Sequence, residues 1–121
     1  MIKSYQDLTV WQKAMDLVVA VYRLLPEMPG EERFALADQM RRAAVSVPAN
    51  IAEGYGRRRD NELKHFLKIA QGSLAELQTH LYICERVQLL AKADIAPVLT
   101  LSEEVAKMLH AFEAQIDHSQ P

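Results

Sequence analysis

The stretch from Gln39 to Arg59, QMRRAAVSVPANIAEGYGRRR, holds most of the side chains in this sequence that could do chemistry. Arg42, Ser46, Asn50, Glu53 and Arg57 follow one another at intervals of four, four, three and four residues. On a helix that spacing lines them along one face. Ser73 and Glu76, one turn apart further along the chain, are candidates to face them. Two chemistries fit such a row. One is a polar pocket that holds a small ligand. The other is a hydrogen-bonded network that fixes helix register or a subunit contact. A carboxylate held near arginine is more often a satisfied structural pair, which favours the second.

The same region is basic. From Arg41 to Lys68 there are seven Lys or Arg residues against three carboxylates. From Asp94 onward the balance reverses, with Lys107 alone against five carboxylates. A formal net charge of -2 conceals this asymmetry. Arg57, Arg58, Arg59, Lys64 and Arg41 are therefore candidates for contact with a phosphate backbone, RNA or DNA. The alternative is a solvated basic turn.

Metal and catalytic motifs are weaker. A di-iron bundle needs two Glu-x-x-His pairs, and only Glu62–His65 matches, beside Lys64 and Lys68. His80, His110 and His118 stand apart and are expected at the surface or in an interface. Gly54-Tyr55-Gly56 follows no strand and lacks the Gly-Lys-Ser/Thr ending of a phosphate loop. Cys84, the only cysteine, cannot pair within the chain and falls on an apolar stripe, as a small core residue would. No nucleophile has an evident base. Neither a cofactor, a metal nor an enzymatic reaction is expected.

These side chains need helices to position them. The 121 residues are half hydrophobic and one quarter charged, enough for one domain with a sizeable core. No run approaches the roughly 20 apolar residues of a membrane span, and Met1–Asp7 has no signal-peptide pattern, so the cytoplasm is the expected location. Apolar residues recur at helical spacing in four segments, about 10–25, 32–55, 61–89 and 95–116. Thr9-Val10-Trp11-Gln12 reads as a capping box. Pro48 predicts a kink in the second helix, and Gly54 and Gly56 predict its end. Asp60 is the expected N-cap of the third, roughly 45 Å long. Gly72-Ser73 in its middle would let a neighbouring helix approach closely. Pro97 fits the first turn of the fourth, and residues 117–121 are expected to fray. Short loops make sequential helices antiparallel neighbours, giving an all-α, up-down-up-down four-helix bundle over 1–121. Met15, Val19 and Tyr22 form a second apolar stripe on the first helix. The core needs one such stripe, so the other implies a partner surface.

Three ordered blocks carry a family resemblance. They are Tyr5 to Ala14 (YQDLTVWQKA), Gln39 to Gly54 with its SVPANIAEG core, and Phe66 to Leu77 (FLKIAQGSLAEL). Together they resemble the bacterial four-helix-bundle proteins named after the 23S ribosomal RNA intervening sequence, over about residues 5–90. The resemblance implies a cytosolic bundle assembled as a ring-like homopentamer, without established enzymatic activity. Some members are encoded inside intervening sequences of 23S ribosomal RNA genes. A related branch, the accessory variability proteins of diversity-generating retroelements, works with a reverse transcriptase and nucleic acid. The expected function is a non-enzymatic, oligomeric binding protein, with Met15, Val19 and Tyr22 in its interface and RNA or DNA as the further partner. A protein–protein scaffold and a small-ligand binder at the Arg42, Asn50, Glu53 and Glu76 row are the alternatives.

Overall fold

Each run of helically spaced apolar residues folds as a helix that turns its stripe inward. The computed structural model describes residues 1–119. A 3-10 turn at Tyr5–Asp7 leads into α1 (Thr9–Leu24), a second at Leu25–Glu27 follows it, and α2 (Glu32–Arg57), α3 (Asp60–Arg86) and α4 (Lys92–Ser119) complete the chain. No strand occurs among the described residues. Each helix packs on its chain neighbours, α1 against α4 closes the square, and the α2–α3 seam is the most extensive. Cross-helix pairs run in opposite sequence directions. Lys64 meets Asp117, Lys68 meets Glu113 and Gln78 meets Ser102 along α3 and α4. Ser46 meets Ser73 and Met40 meets Cys84 along α2 and α3. The bundle is thus antiparallel across both seams, around a core that includes Leu17, Met40, Ile51, Leu77, Ile95 and Leu109.

The helix ends differ from the sequence expectation in several places, although the hydrogen bonds made there are local ones. The capping box sits at Ser4–Asp7, not Thr9–Gln12. Ser4 Oγ accepts from the Gln6 N–H, and the Asp7 carboxylate accepts from the N–H of Ser4. Gln12 instead reaches back to donate to the Gln6 carbonyl. α2 holds Pro48 within it without a chain break, which a kink does not require, but runs on past Gly54 and Gly56 to Arg57. Asp60 is the first residue of α3, and extended Arg59 is its N-cap. α3 stops at Arg86, where the Leu89 N–H folds back on the Cys84 carbonyl. α4 starts at Lys92, so Pro97 lies inside it and not in its first turn. It extends to Ser119, with Asp117 helical and paired to Lys64; of the segment expected to fray, Gln120 and Pro121 lie outside the described residues.

The close approach of α2 and α3 is at Gly54, not Gly72. A Cβ on Gly54 would stand 2.7 Å from Phe66 Cβ and 3.2 Å from Leu63 Cδ1. A Cβ on Gly72 would meet nothing within 4 Å. Gly54 is therefore what lets the two helices touch just before the turn that joins them. Alanine favours a helix over glycine by about 1 kcal/mol, whereas overpacking costs about 1–3 kcal/mol. Gly72→Ala should raise the melting temperature, and Gly54→Ala should lower it. Thermal unfolding of the two variants side by side checks this, and a rise for both would show that α2 and α3 yield freely at Gly54.

Candidate functional site

The polar row on α2 divides among several partners. Arg42 turns back along its own helix to Asp38, at 3.0 Å, with its side chain 80% exposed. Glu53 takes Arg57 at 2.7 Å. Glu76 lies 3.2 Å from His80 Nε2 on α3. Glu53 and Glu76 are both exposed. Of the row, Ser46 reaches α3, and Asn50 supports it from the next turn of α2. Asn50 Nδ2 donates to the Ser46 carbonyl at 2.7 Å and to Ser46 Oγ at 2.8 Å, and Ser46 Oγ in turn lies 2.8 Å from Ser73 Oγ, a bond that either hydroxyl can donate. Arg42, Asn50, Glu53 and Glu76 thus form no common pocket. A partner four residues away on the same helix is nearer than one across the seam.

The basic cluster divides too. Lys64 is held by Asp117 at 2.6 Å, and Lys68 by Glu113 at 2.7 Å. Gln71 donates to the second oxygen of Glu113. The acidic half of α4 therefore answers the basic half of α3 along one seam. The Asp117 hydrogen bond raises the Lys64 ammonium above its usual range. The hydrogen bonds from Lys68 and Gln71 hold the Glu113 carboxyl below its usual value of 4.5. Arg41 is far up α2, its guanidinium 5.9 Å over the Tyr22 ring. Arg57 bonds Glu53 and lies 5.3 Å over the Phe66 ring. Among the described residues, Arg58 and Arg59 take part in no ion pair.

Those two arginines are the whole connection between α2 and α3. Arg58 has φ 61 and ψ 19, the left-handed region where a helix C-cap usually places glycine. Beside them the N-terminal segment packs back on the bundle and encloses a cleft of about 490 Å³. Its walls include Lys3, Tyr5, Tyr55, Arg58, Arg59 and Asp60. Lys3, Tyr5 and Asp60 were not among the candidates from sequence, because only the fold returns residues 3–5 to the tip of a distant hairpin. His80 also departs from expectation: it is buried, and its Nδ1 has no hydrogen-bond partner among the described residues. Its place three residues after Leu77 and four before Cys84 carried that signal. Among the described residues no three His, Cys, Asp or Glu side chains are grouped to hold a metal. No described helix is long and apolar enough to cross a membrane.

One apolar face lies outside the core. Met15, Val19 and Tyr22 on α1 are 39%, 44% and 47% exposed, and Val45 on α2, one turn from Arg41, is 43% exposed. Arg41 lies over Tyr22, so the two helices present these side chains as one surface. Ile83 near the end of α3 and Val87 at its C-cap, one turn apart, are a separate exposed apolar pair, and Ile69 is exposed further up the helix.

A family model described as 23S rRNA-intervening sequence protein matches residues 6–111. A solved structure of similar fold comes from Bacteroides thetaiotaomicron, a protein of unknown function from the S23 ribosomal protein family. It superposes with a TM-score of 0.80 at 22% identity, over 87% of this chain and 98% of that one. No curated protein matches.

The α3–α4 seam sets a pH dependence. The folded-state value of Glu113 is depressed, so its contribution is present in full above about 4.5 and is lost as the pH falls through the depressed value. Glu113→Gln should cost roughly 1 kcal/mol at neutral pH. The gap in melting temperature between wild type and variant should close as the pH drops below about 4.5. A gap that stays constant from neutral pH to about pH 3 would show that the carboxylate charge contributes nothing.

Proposed function

The chain belongs to the 23S rRNA-intervening sequence protein family, and from that premise we propose that it is a cytoplasmic, non-enzymatic protein that self-assembles and contacts nucleic acid through the α2–α3 tip. The observation that carries the first half is the apolar surface of Met15, Val19, Tyr22 and Val45. Isolated apolar side chains on a surface need no explanation, but a row aligned across two packed helices marks a contact. The occupant is a second copy of the chain. A closed ring uses two different patches on each subunit, one for each neighbour. Ile83 and Val87 at the end of α3 supply the second patch. A homopentamer, the number the family resemblance implies, is the assembly expected.

Arg58 and Arg59 support the second half. They are exposed and take part in no ion pair with the described residues, and they sit together at the tip, so their charge is available there. Lys64 is committed to Asp117 and Arg41 lies elsewhere, which concentrates the phosphate contact on the turn itself. A ring would repeat this weak site around its circumference, and each further contact becomes effectively intramolecular.

Two measurements test this reading. Light scattering at micromolar concentration should give a mass of about five times 13.7 kDa for the wild type, and 13.7 kDa for the double variant Val19→Asp, Val45→Asp. A wild-type mass of 13.7 kDa sinks the assembly. Affinity for nucleic acid should fall steeply with salt, with a log–log slope of about -0.9 per phosphate neutralised on duplex DNA. Arg58→Ala with Arg59→Ala should flatten that slope by one to two contacts and leave melting unchanged. If the wild type binds neither RNA nor DNA at about 50 mM salt, the scaffold without nucleic acid is the correct reading.

A further inference from the structure

The cleft at the α2–α3 tip differs in kind from a basic surface, because its walls combine three cations with two aromatic rings and a carboxylate. We propose that it is a nucleotide cleft that takes one unstacked base with its phosphate, so that the protein binds single-stranded nucleic acid in preference to duplex. This rests on the nucleic-acid reading above and narrows it.

Three features of the cleft carry the proposal. Its volume of about 490 Å³ falls within the range that holds small ligands. Tyr5 and Tyr55 stand in its walls, and an aromatic ring stacks on any base whose face is open. In a duplex those faces are covered by neighbouring pairs, so only a single strand can offer one. Lys3, Arg58 and Arg59 stand in the same walls to meet the phosphate. Tyr5 also walls an adjoining cleft of about 380 Å³ that carries Arg57. Arg57 is held there by Glu53, which walls the same adjoining cleft, so the phosphate contact rests on Lys3, Arg58 and Arg59, beside a Tyr5 ring shared by both clefts. Asp60 adds a preference. A carboxylate repels phosphate but accepts from an exocyclic amino group, so adenine, cytosine and guanine should be favoured over thymine and uracil.

The left-handed backbone at Arg58 agrees with this. A non-glycine residue there is strained, and such strain concentrates where a side chain has work to do. Arg58→Gly should relieve the strain and remove one cation together. It should melt no lower than wild type while binding nucleic acid more weakly.

The test is fluorescence anisotropy on labelled single-stranded DNA ten nucleotides long, as adenine and thymine homopolymers, and on a duplex of mixed sequence, all at one low salt concentration. Tyr55 packs partly against the core, so Tyr55→Leu, which keeps apolar volume and removes the ring, accompanies Tyr55→Ala. Both should lose about tenfold in single-strand affinity and little in duplex affinity. Arg58→Ala with Arg59→Ala should lose both. Asp60→Asn should weaken the preference for adenine over thymine. A wild type that binds single strand and duplex equally, or a Tyr55→Leu variant with wild-type melting and wild-type single-strand affinity, overturns the cleft while leaving the phosphate contact intact. A wild type that binds neither form ends both.

Discussion

The contact between α2 and α3 at Gly54 governs the rest of this bundle. With no side chain there, Phe66 and Leu63 close directly onto the α2 backbone. The helices are already touching when α2 ends three residues later, so only Arg58 and Arg59 separate them. A link that short reverses the chain only if one residue turns left-handed, and Arg58 does. The same closeness brings Ser46 within 2.8 Å of Ser73 further along the seam. Close packing thus creates both the tight α2–α3 seam and the exposed cationic tip. A larger residue at position 54 would separate the helices and lengthen the turn, and the two arginines would lose their fixed placement.

The periodicity of apolar residues showed four helices because burial of a stripe is a property of local spacing. Their ends were less legible, since neighbouring residues such as Ser4 and Thr9 both carry a local cap signature and only one of them is used. Gly54 and Gly56 carry the local signature of a terminator, yet Gly54 serves packing and the helix runs through both. Gly72 has the look of a packing glycine and faces open space. The polar row on α2 was legible as a row, but spacing says only which side chains share a face. It does not say which will reach across. Arg42 had Asp38 within one turn and took it. The cationic run was visible, and so was the acidic α4, but the sequence holds no sign that Lys64 and Lys68 would meet Asp117 and Glu113. That pairing depends on antiparallel register set by the core.

The seam between α3 and α4 gives those opposite charges a structural task. Glu113 is mostly covered and takes hydrogen bonds from both Lys68 and Gln71, while Gln78 reaches Ser102 on the buried side of α4. Displacing α4 by one residue would leave these groups facing apolar neighbours. Polar ties of this kind select one register among several that the apolar stripes alone would accept. They also tie Lys64 and Lys68 to carboxylates, so that among the cations near the α2–α3 turn Arg58 and Arg59 take part in no ion pair with the described residues.

Cys84 has a practical consequence. It is fully enclosed beside Met40, and burial pushes its thiol above the usual range. Maleimide and related reagents attack the exposed thiolate, so the native protein is silent toward them. A cysteine introduced at an exposed position would be the single reactive thiol in the folded chain. Fluorescent or spin labels placed on α1, on α3 or at the tip would therefore report on those sites without removal of any native residue.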